Sequence, residues 1–219
     1  MKGKASKIGV VTATISAMTV DLVGPGGTFG RLDVPAIKMG SFGANVTILD
    51  QVVSIVDMDA LKAFVRAIMQ NESLVLRLEN GHATVKAMGV KSSIIYRKEI
   101  HLKGLKALKA VLIHTEQDGG IYKSIFSMDN PSHFEVNLGR VSYEVKDENG
   151  RQIAEQMGAT HIKRGEFNLT VTGPVTSTVS KGEAKFVGFD VNDDNWLKEI
   201  IDTINIMVVI PSKFKSWHT

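Results

Sequence analysis

Six histidines, at positions 82, 101, 114, 133, 161 and 218, are the first residues to test for catalysis or metal binding, and their spacing argues against both. None forms the i, i+4 pair that sets two imidazoles on one helix face around zinc. His101 falls in an alternating run before Gly104 and reads as an exposed strand residue. The stretch Gly24-Pro25-Gly26-Gly27-Thr28-Phe29-Gly30 has the glycine density of a phosphate loop. It joins strand to strand, however, with no helix N-terminus to receive a phosphate, so a hairpin is expected. Gly40-Ser41-Phe42-Gly43 lacks the Gly-x-Ser-x-Gly spacing and the strand-turn-helix setting of a nucleophile elbow. Asp57 and Asp59, like Asp190, Asp193 and Asp194, read as helix caps and dipole partners rather than calcium ligands, because no ligand-bearing loop with a later Glu follows. With no cysteine, the chain has no disulfide, thiolate metal site or Cys nucleophile. No catalytic residue, metal or cofactor is expected, and the chain reads as non-enzymatic.

The elements that carry these residues recur. Leu61, Phe64, Val65 and Ile68 follow Asp57 and Asp59 at the i, i+3, i+4, i+7 spacing of one helical face, and Leu197, Ile200, Ile201 and Ile204 follow Asp193 and Asp194 at the same spacing. Upstream, Thr19 to Val23 and Val141 to Val145 each lead through a Gly-, Pro- or Asn-rich turn into a Gly-Arg pair, Gly30-Arg31 and Gly150-Arg151. Both read as β-hairpins. Asn45-Val46-Thr47-Ile48 and Asn168-Leu169-Thr170-Val171 each open an alternating strand. The separation of equivalents drifts from 120 through 123 to 136, which places a 13-residue insertion in the second copy near Lys181-Gly182-Glu183.

After its helix, the first copy continues through Ser73 to Leu78, a turn expected at Glu79-Asn80-Gly81, His82 to Ala87, and a run from Val90 to Leu102. The second offers only Ile206 to Ile210 before Pro211. It is therefore expected to be incomplete, as an excerpt or with a strand supplied from elsewhere; a copy that closes differently is the alternative.

Hydrophobic content of 43% and charged content of 22% belong to an ordinary folded protein, and the Val, Ile, Thr and Ser richness favours strands. The net charge of +3 is spread along the chain, without the basic stripe of a nucleic-acid surface. No window approaches the roughly 18 apolar residues of a membrane span, and Met1-Lys2-Gly3-Lys4 opens no signal-peptide core. Membrane association is expected only through segments outside this chain.

The run Asn130-Pro131-Ser132-His133-Phe134-Glu135-Val136-Asn137-Leu138-Gly139-Arg140-Val141, followed by Asn149-Gly150-Arg151-Gln152-Ile153-Ala154, resembles the opening of the group-two late-embryogenesis-abundant fold. That fold is also called the water-stress and hypersensitive-response (WHy) domain. Gly30 to Ile37, the acidic helix at Asp57 to Ile68, and Ala87-Met88-Gly89-Val90 leading to His101-Leu102-Lys103-Gly104-Leu105 resemble a fungal branch of that superfamily, a domain of unknown function. The resemblance implies an immunoglobulin- or fibronectin-like sandwich with a helix across one end. It also implies tandem copies in membrane-anchored proteins that face the vacuolar lumen or the cell exterior. It carries no catalytic residue.

The expected fold is mainly β: two tandem immunoglobulin/fibronectin-like antiparallel sandwiches, 1–106 and 107–219, each with one short amphipathic α-helix, at about 57–70 and 193–204. The expected function is an interaction or scaffold module that recognises an unidentified protein partner through sheet faces and exposed strand edges. The alternative is a lipid or other hydrophobic ligand held in an apolar cavity beneath a helical lid of Leu61, Phe64, Val65 and Ile68. A third reading, an enzyme, requires His and carboxylates converging near Lys106 to Tyr122. The sequons at Asn45, Asn71 and Asn168 are candidate glycosylation sites if the chain is lumenal; Pro211 to His218 interleaves basic and aromatic residues as a headgroup-binding tail would, but a tail that packs under further strands is the expectation.

Overall fold

Alternation of apolar and polar residues over runs of ten or more positions commits most of this chain to strands. The computed structural model describes residues 2–5, 13–39, 44–47, 52–106, 108–176, 182–191 and 196–211. They form two compact units, Met1–Phe64 with Val75–His101 and Val65–Leu74 with Leu102–Thr219.

In the first unit β1 (Lys2–Ala5) pairs with β6 (Ala44–Thr47). The larger sheet contains β2 (Ala13–Ile15), β3 (Met18–Gly24), β4 (Gly27–Val34), β5 (Ile37–Met39), β7 (Ser54–Ile55), β8 (Ser73–Ala87) and β9 (Val90–Lys103). Its order is β5-β2-β8-β3-β4-β7, and β9 pairs with β8. The registers show how this sheet is shaped. β3 meets β4 at Met18↔Val34, and β2 meets β5 at Ile15↔Ile37, the same register carried across Ser16-Ala17 on one side and Pro35-Ala36 on the other. β8 likewise keeps one register along β2 and β3, from Ile15↔Val85 to Asp21↔Glu79. Two long strands, β2 with β3 and β4 with β5, are therefore interrupted at one level while β8 continues past it, and the sheet bends there.

That bend explains why no hairpin forms at Glu79-Asn80-Gly81. The strand β8 continues without a break, with Asn80 in the left-handed region (φ 56°) and Gly81 packed so closely that a Cβ would lie 2.9 Å from Val20 and 3.0 Å from Tyr96. Asn80 donates its side-chain amide to Asp21 Oδ2 (2.9 Å), and Arg31 pairs with Asp21 Oδ1 (3.1 Å). An Asn-Gly pair that ordinarily reverses a chain here kinks a strand, because a neighbouring carboxylate holds the Asn side chain. The Asn80 hydrogen bond, then Arg31, keeps the Asp21 carboxyl below its ordinary range. Its stabilising contribution is therefore complete above the unfolded value of about 3.9 and is lost as pH falls through the lower folded value. Asp21→Asn is expected to lower stability by about 1–2 kcal/mol at pH 7, with the deficit shrinking at pH 3. Urea unfolding at the two pH values checks it, and a deficit independent of pH would refute it.

The helix α1 (Met58–Gln70) starts at Asp57, whose Oδ1 accepts the Ala60 N–H (3.0 Å). Its C-terminal carbonyls are taken in the second unit, Ile68 by the Leu105 N–H (2.7 Å) and Asn71 by the Lys106 N–H (3.3 Å). Gly104 is required there, since a Cβ would strike the Asn71 carbonyl.

The second unit comprises β10 (Lys109–Asp118), β11 (Ile121–Asn130), β12 (Val136–Lys146), β13 (Gln152–Ile162), β14 (Gly165–Pro174), β15 (Gly182–Val191) and β16 (Asn205–Ile210). Turns at Gly119-Gly120 and Asp147 to Gly150 connect its hairpins, the second as the sequence predicts, with φ of 55°, 86° and 78° at the three glycines. The order β10-β11-β14-β13-β12-β15-β16 closes into a barrel.

This corrects the expectation of two tandem immunoglobulin/fibronectin-like sandwiches. The first unit is a bent open sheet, and in the second two joints eliminate the free edges of a sandwich: β10 pairs in parallel with β16 at Lys109↔Met207 to Val111↔Val209, and β13 meets β14 at Met157↔Thr172. In the second copy β16 closes the sheet against β10. The barrel interior is filled by Leu112, Phe126, Tyr143, Phe186 and Val208, with Phe126 edge-on to Phe186 at 4.8 Å. The Tyr143 hydroxyl is bonded to Thr160 Oγ1 (2.7 Å), and burial raises its pKa well above the ordinary range.

The expected α-helix at 193–204 is also corrected. The described part is two 3-10 turns, Trp196–Glu199 and Ile201–Thr203. β-Branched Ile200, Ile201, Thr203 and Ile204 disfavour an α-helix, and the Thr203 hydroxyl takes the Ile200 carbonyl (2.6 Å). Ile200, Ile201 and Ile204 are nevertheless buried.

Candidate functional site

The strand β9 stands out because it is long and exposed. Met88 and Gly89, both at positive φ (50° and 77°), make the two-residue turn that folds β9 back on β8. Along β9, Ile94, Tyr96 and Ile100 are half-buried, while Lys91, Ser93, Ile95, Arg97, Glu99 and His101 alternate with them in solvent. Val90 is 68% exposed and Ile95 57%. Among the described residues β9 pairs only with β8, and none of them pairs with the backbone N–H and C=O groups of its other edge. Burial raises the pKa of the Tyr96 hydroxyl above its ordinary range, and the side chain lies half-buried on the inner face of the strand.

Two open grooves lie elsewhere. One, of about 480 Å³, follows the bend of the first sheet and is lined by Ala17, Met18, Thr19, Asp33, Val34 and Pro35, with Thr19 Oγ1 bonded to Asp33 Oδ1 (2.6 Å). The other, of about 410 Å³, lies on the outside of the barrel between Lys109, Val111, Asp129, Pro131 and Glu166. Asp129 and Glu166 face each other across β11 and β14. Among the described residues no group of three His, Asp or Glu side chains is placed to hold a metal ion.

The residues singled out from the sequence are dispersed. Phe64 is buried and stacked on Phe29, ring centroids 4.5 Å apart and 18° from parallel. Ala60, Lys62, Ala67 and Ile68 are buried beside it along α1, while Leu61 and Val65 are half-buried. Gly24 approaches so closely that a Cβ would lie 2.8 Å from the Phe64 ring, and one on Gly26 would lie 2.7 Å from Ala63. Asn45 lies in β6, Asn71 follows α1 with its side chain exposed, and Asn168 is exposed on β14. Between Lys106 and Tyr122, His114 meets Glu116 at 2.9 Å, with Lys123 3.7 Å from the same carboxylate. All three side chains are exposed, and the His114 hydrogen bond holds Glu116 below its ordinary pKa range.

Asp57 caps a helix, whereas Gly40 to Gly43, Asp193, Asp194, Lys181 and the tail from Ser212 lie outside the described residues. The Asn130-Pro131 step has a structural role: Asn130 is buried, donates to the carbonyls of Phe134 (2.9 Å) and Lys163 (3.0 Å), and accepts the Ser132 N–H (2.8 Å). Sequence reasoning located β9 as a run but missed how much of it is exposed. The cations Lys91, Arg97 and Lys98 were the available signal.

A family model described as "Protein of unknown function (DUF3712)" matches residues 27–145, more than half of the chain. None of the curated proteins matches. Among solved structures, the chain is similar to the exo-beta-D-glucosaminidase CsxA, studied in its inhibition by a glucosamine-configured castanospermine and an amino-australine analogue. The likeness is 14% identity over 91% of this chain and 24% of that one, with a TM-score of 0.29. This chain spans about a quarter of that protein's length, and a likeness of this degree carries no argument about activity.

Proposed function

The chain belongs to the DUF3712 family of proteins of unknown function, and from that premise we propose that it is a non-catalytic interaction module that takes up an extended segment of a partner protein along the free edge of β9. The observation that carries this reading is the long strand from Val90, paired on one side only among the described residues and studded with exposed Val90 and Ile95. Strand addition uses the unpaired backbone groups for affinity and alternate side chains for selectivity. The resemblance to the fungal branch of the WHy superfamily supports a setting in a larger membrane-associated protein, facing the vacuolar lumen or cell exterior. Exposed Asn71 and Asn168 suit glycosylation there.

The close fit of Phe29, Gly24 and Phe64 speaks against the alternative of a lipid cavity beneath the helix.

The test is a titration of isotope-labelled protein with peptides about ten residues long that alternate valine with a polar residue, followed by amide resonances. Shifts and slowed amide exchange confined to Val90–His101, absent in Ile95→Pro, are expected. Shifts elsewhere, or none with any peptide, would overturn the proposal.

A further inference from the structure

We infer that the segment taken up by β9 is acidic, an inference that rests on the edge-addition reading above and specifies its partner. Lys86 near the hairpin tip and Lys91, Arg97 and Lys98 on β9 are all exposed, and among the described residues none of them has an ion-pair partner. Glu99 is the one acidic residue of β9. The cations of the neighbouring surface are different: Arg77 is matched by Glu79 (3.4 Å) and Arg31 by Asp21. Uncompensated positive charge is therefore concentrated along the edge where a strand would add.

This charge has two effects. A second copy of β9 laid antiparallel on the first would set cations against cations, so self-pairing is disfavoured. A strand bearing Asp or Glu at alternate positions would place carboxylates opposite or diagonal to Lys91 and Arg97 on the outer face, while its apolar positions would meet Ile94, Tyr96 and Ile100 on the other face, where Lys98 also lies. The charge also speeds encounter with an acidic segment and slows it with a basic one.

The experiment uses the full chain and three peptides about ten residues long, alternating valine with glutamate, glutamine or lysine. Affinity is measured by fluorescence anisotropy, at low and at high salt, and the binding site by amide resonances. The glutamate peptide is expected to bind about tenfold more tightly than the glutamine peptide and the lysine peptide more weakly than either, with the differences shrinking at high salt. The combined variant Lys91→Glu, Arg97→Glu, Lys98→Glu is expected to reverse the order; all three side chains are exposed, so its fold is retained. Equal affinities with shifts still at β9 would overturn the acidic partner and leave strand addition standing. No shifts at β9 with any peptide would overturn both. Charge-dependent binding to phosphatidylserine vesicles without peptide binding would also overturn both, and would assign the charge to a membrane surface.

Discussion

Replacing Phe64 by alanine is expected to lower the unfolding free energy by about 3–5 kcal/mol. The side chain is buried, its ring lies flat on Phe29 at 4.5 Å, and Gly24 approaches it as closely as a residue without Cβ can. Little in this setting can collapse to fill the space left, because the neighbours of the ring are a strand backbone and a second rigid ring. The same substitution separates the two functional readings. A helix that served as a lid over a ligand cavity would tolerate truncation of Phe64, with a loss below about 1 kcal/mol. Chemical denaturation followed by circular dichroism measures the difference, with an unchanged denaturant slope showing that only stability moved.

A second large effect is expected at the narrow joint of the barrel. Gly158 and Gly173 lie where β13 meets β14, and a Cβ on either would run into backbone, the Thr170 carbonyl for Gly158 and the Glu155 carbonyl for Gly173. Among the described residues the backbone pairing of these strands is confined to Met157↔Thr172 and the bridge Ala154↔Val175. Alanine at position 173 must push the backbones apart there and displace Gln156, whose Nε2 donates to the Gly173 carbonyl (3.0 Å) from the fully buried interior. A loss of about 3 kcal/mol is expected, seen as a melting temperature lower by about 10 °C or more. Gly119→Ala, at a turn with open space around the added Cβ, is the control and is expected to cost about 1 kcal/mol. Equal losses at the two sites would show that the joint is not close-packed.

Local features of the fold were legible in the sequence, and non-local ones were not. The helix from Met58 follows from the spacing of Leu61, Phe64, Val65 and Ile68 and from the Asp57 cap, and the turns at Gly119-Gly120 and Asp147 to Gly150 follow from residues that accept positive φ. The passage of β8 through Asn80-Gly81 could not be read locally, since it depends on Asp21, nearly sixty residues away, holding the Asn80 amide. Barrel closure depends on Lys109 to Val111 meeting Met207 to Val209, a parallel pairing across almost the whole second unit that leaves no periodic trace. The β9 edge was half legible. Its alternation marked a strand, but its lack of an outer neighbour among the described residues is a property of the sheet order alone.

The most direct measurement is residue-resolved amide hydrogen exchange of the unliganded chain along β8 and β9. If β9 has one paired and one open edge, every second amide from Val90 to Ile100 is expected to exchange at rates close to those of unstructured chain, between slowly exchanging neighbours bonded to β8. Uniform protection along the whole of β9 would mean that its outer edge is already covered, and would contradict strand addition at this site.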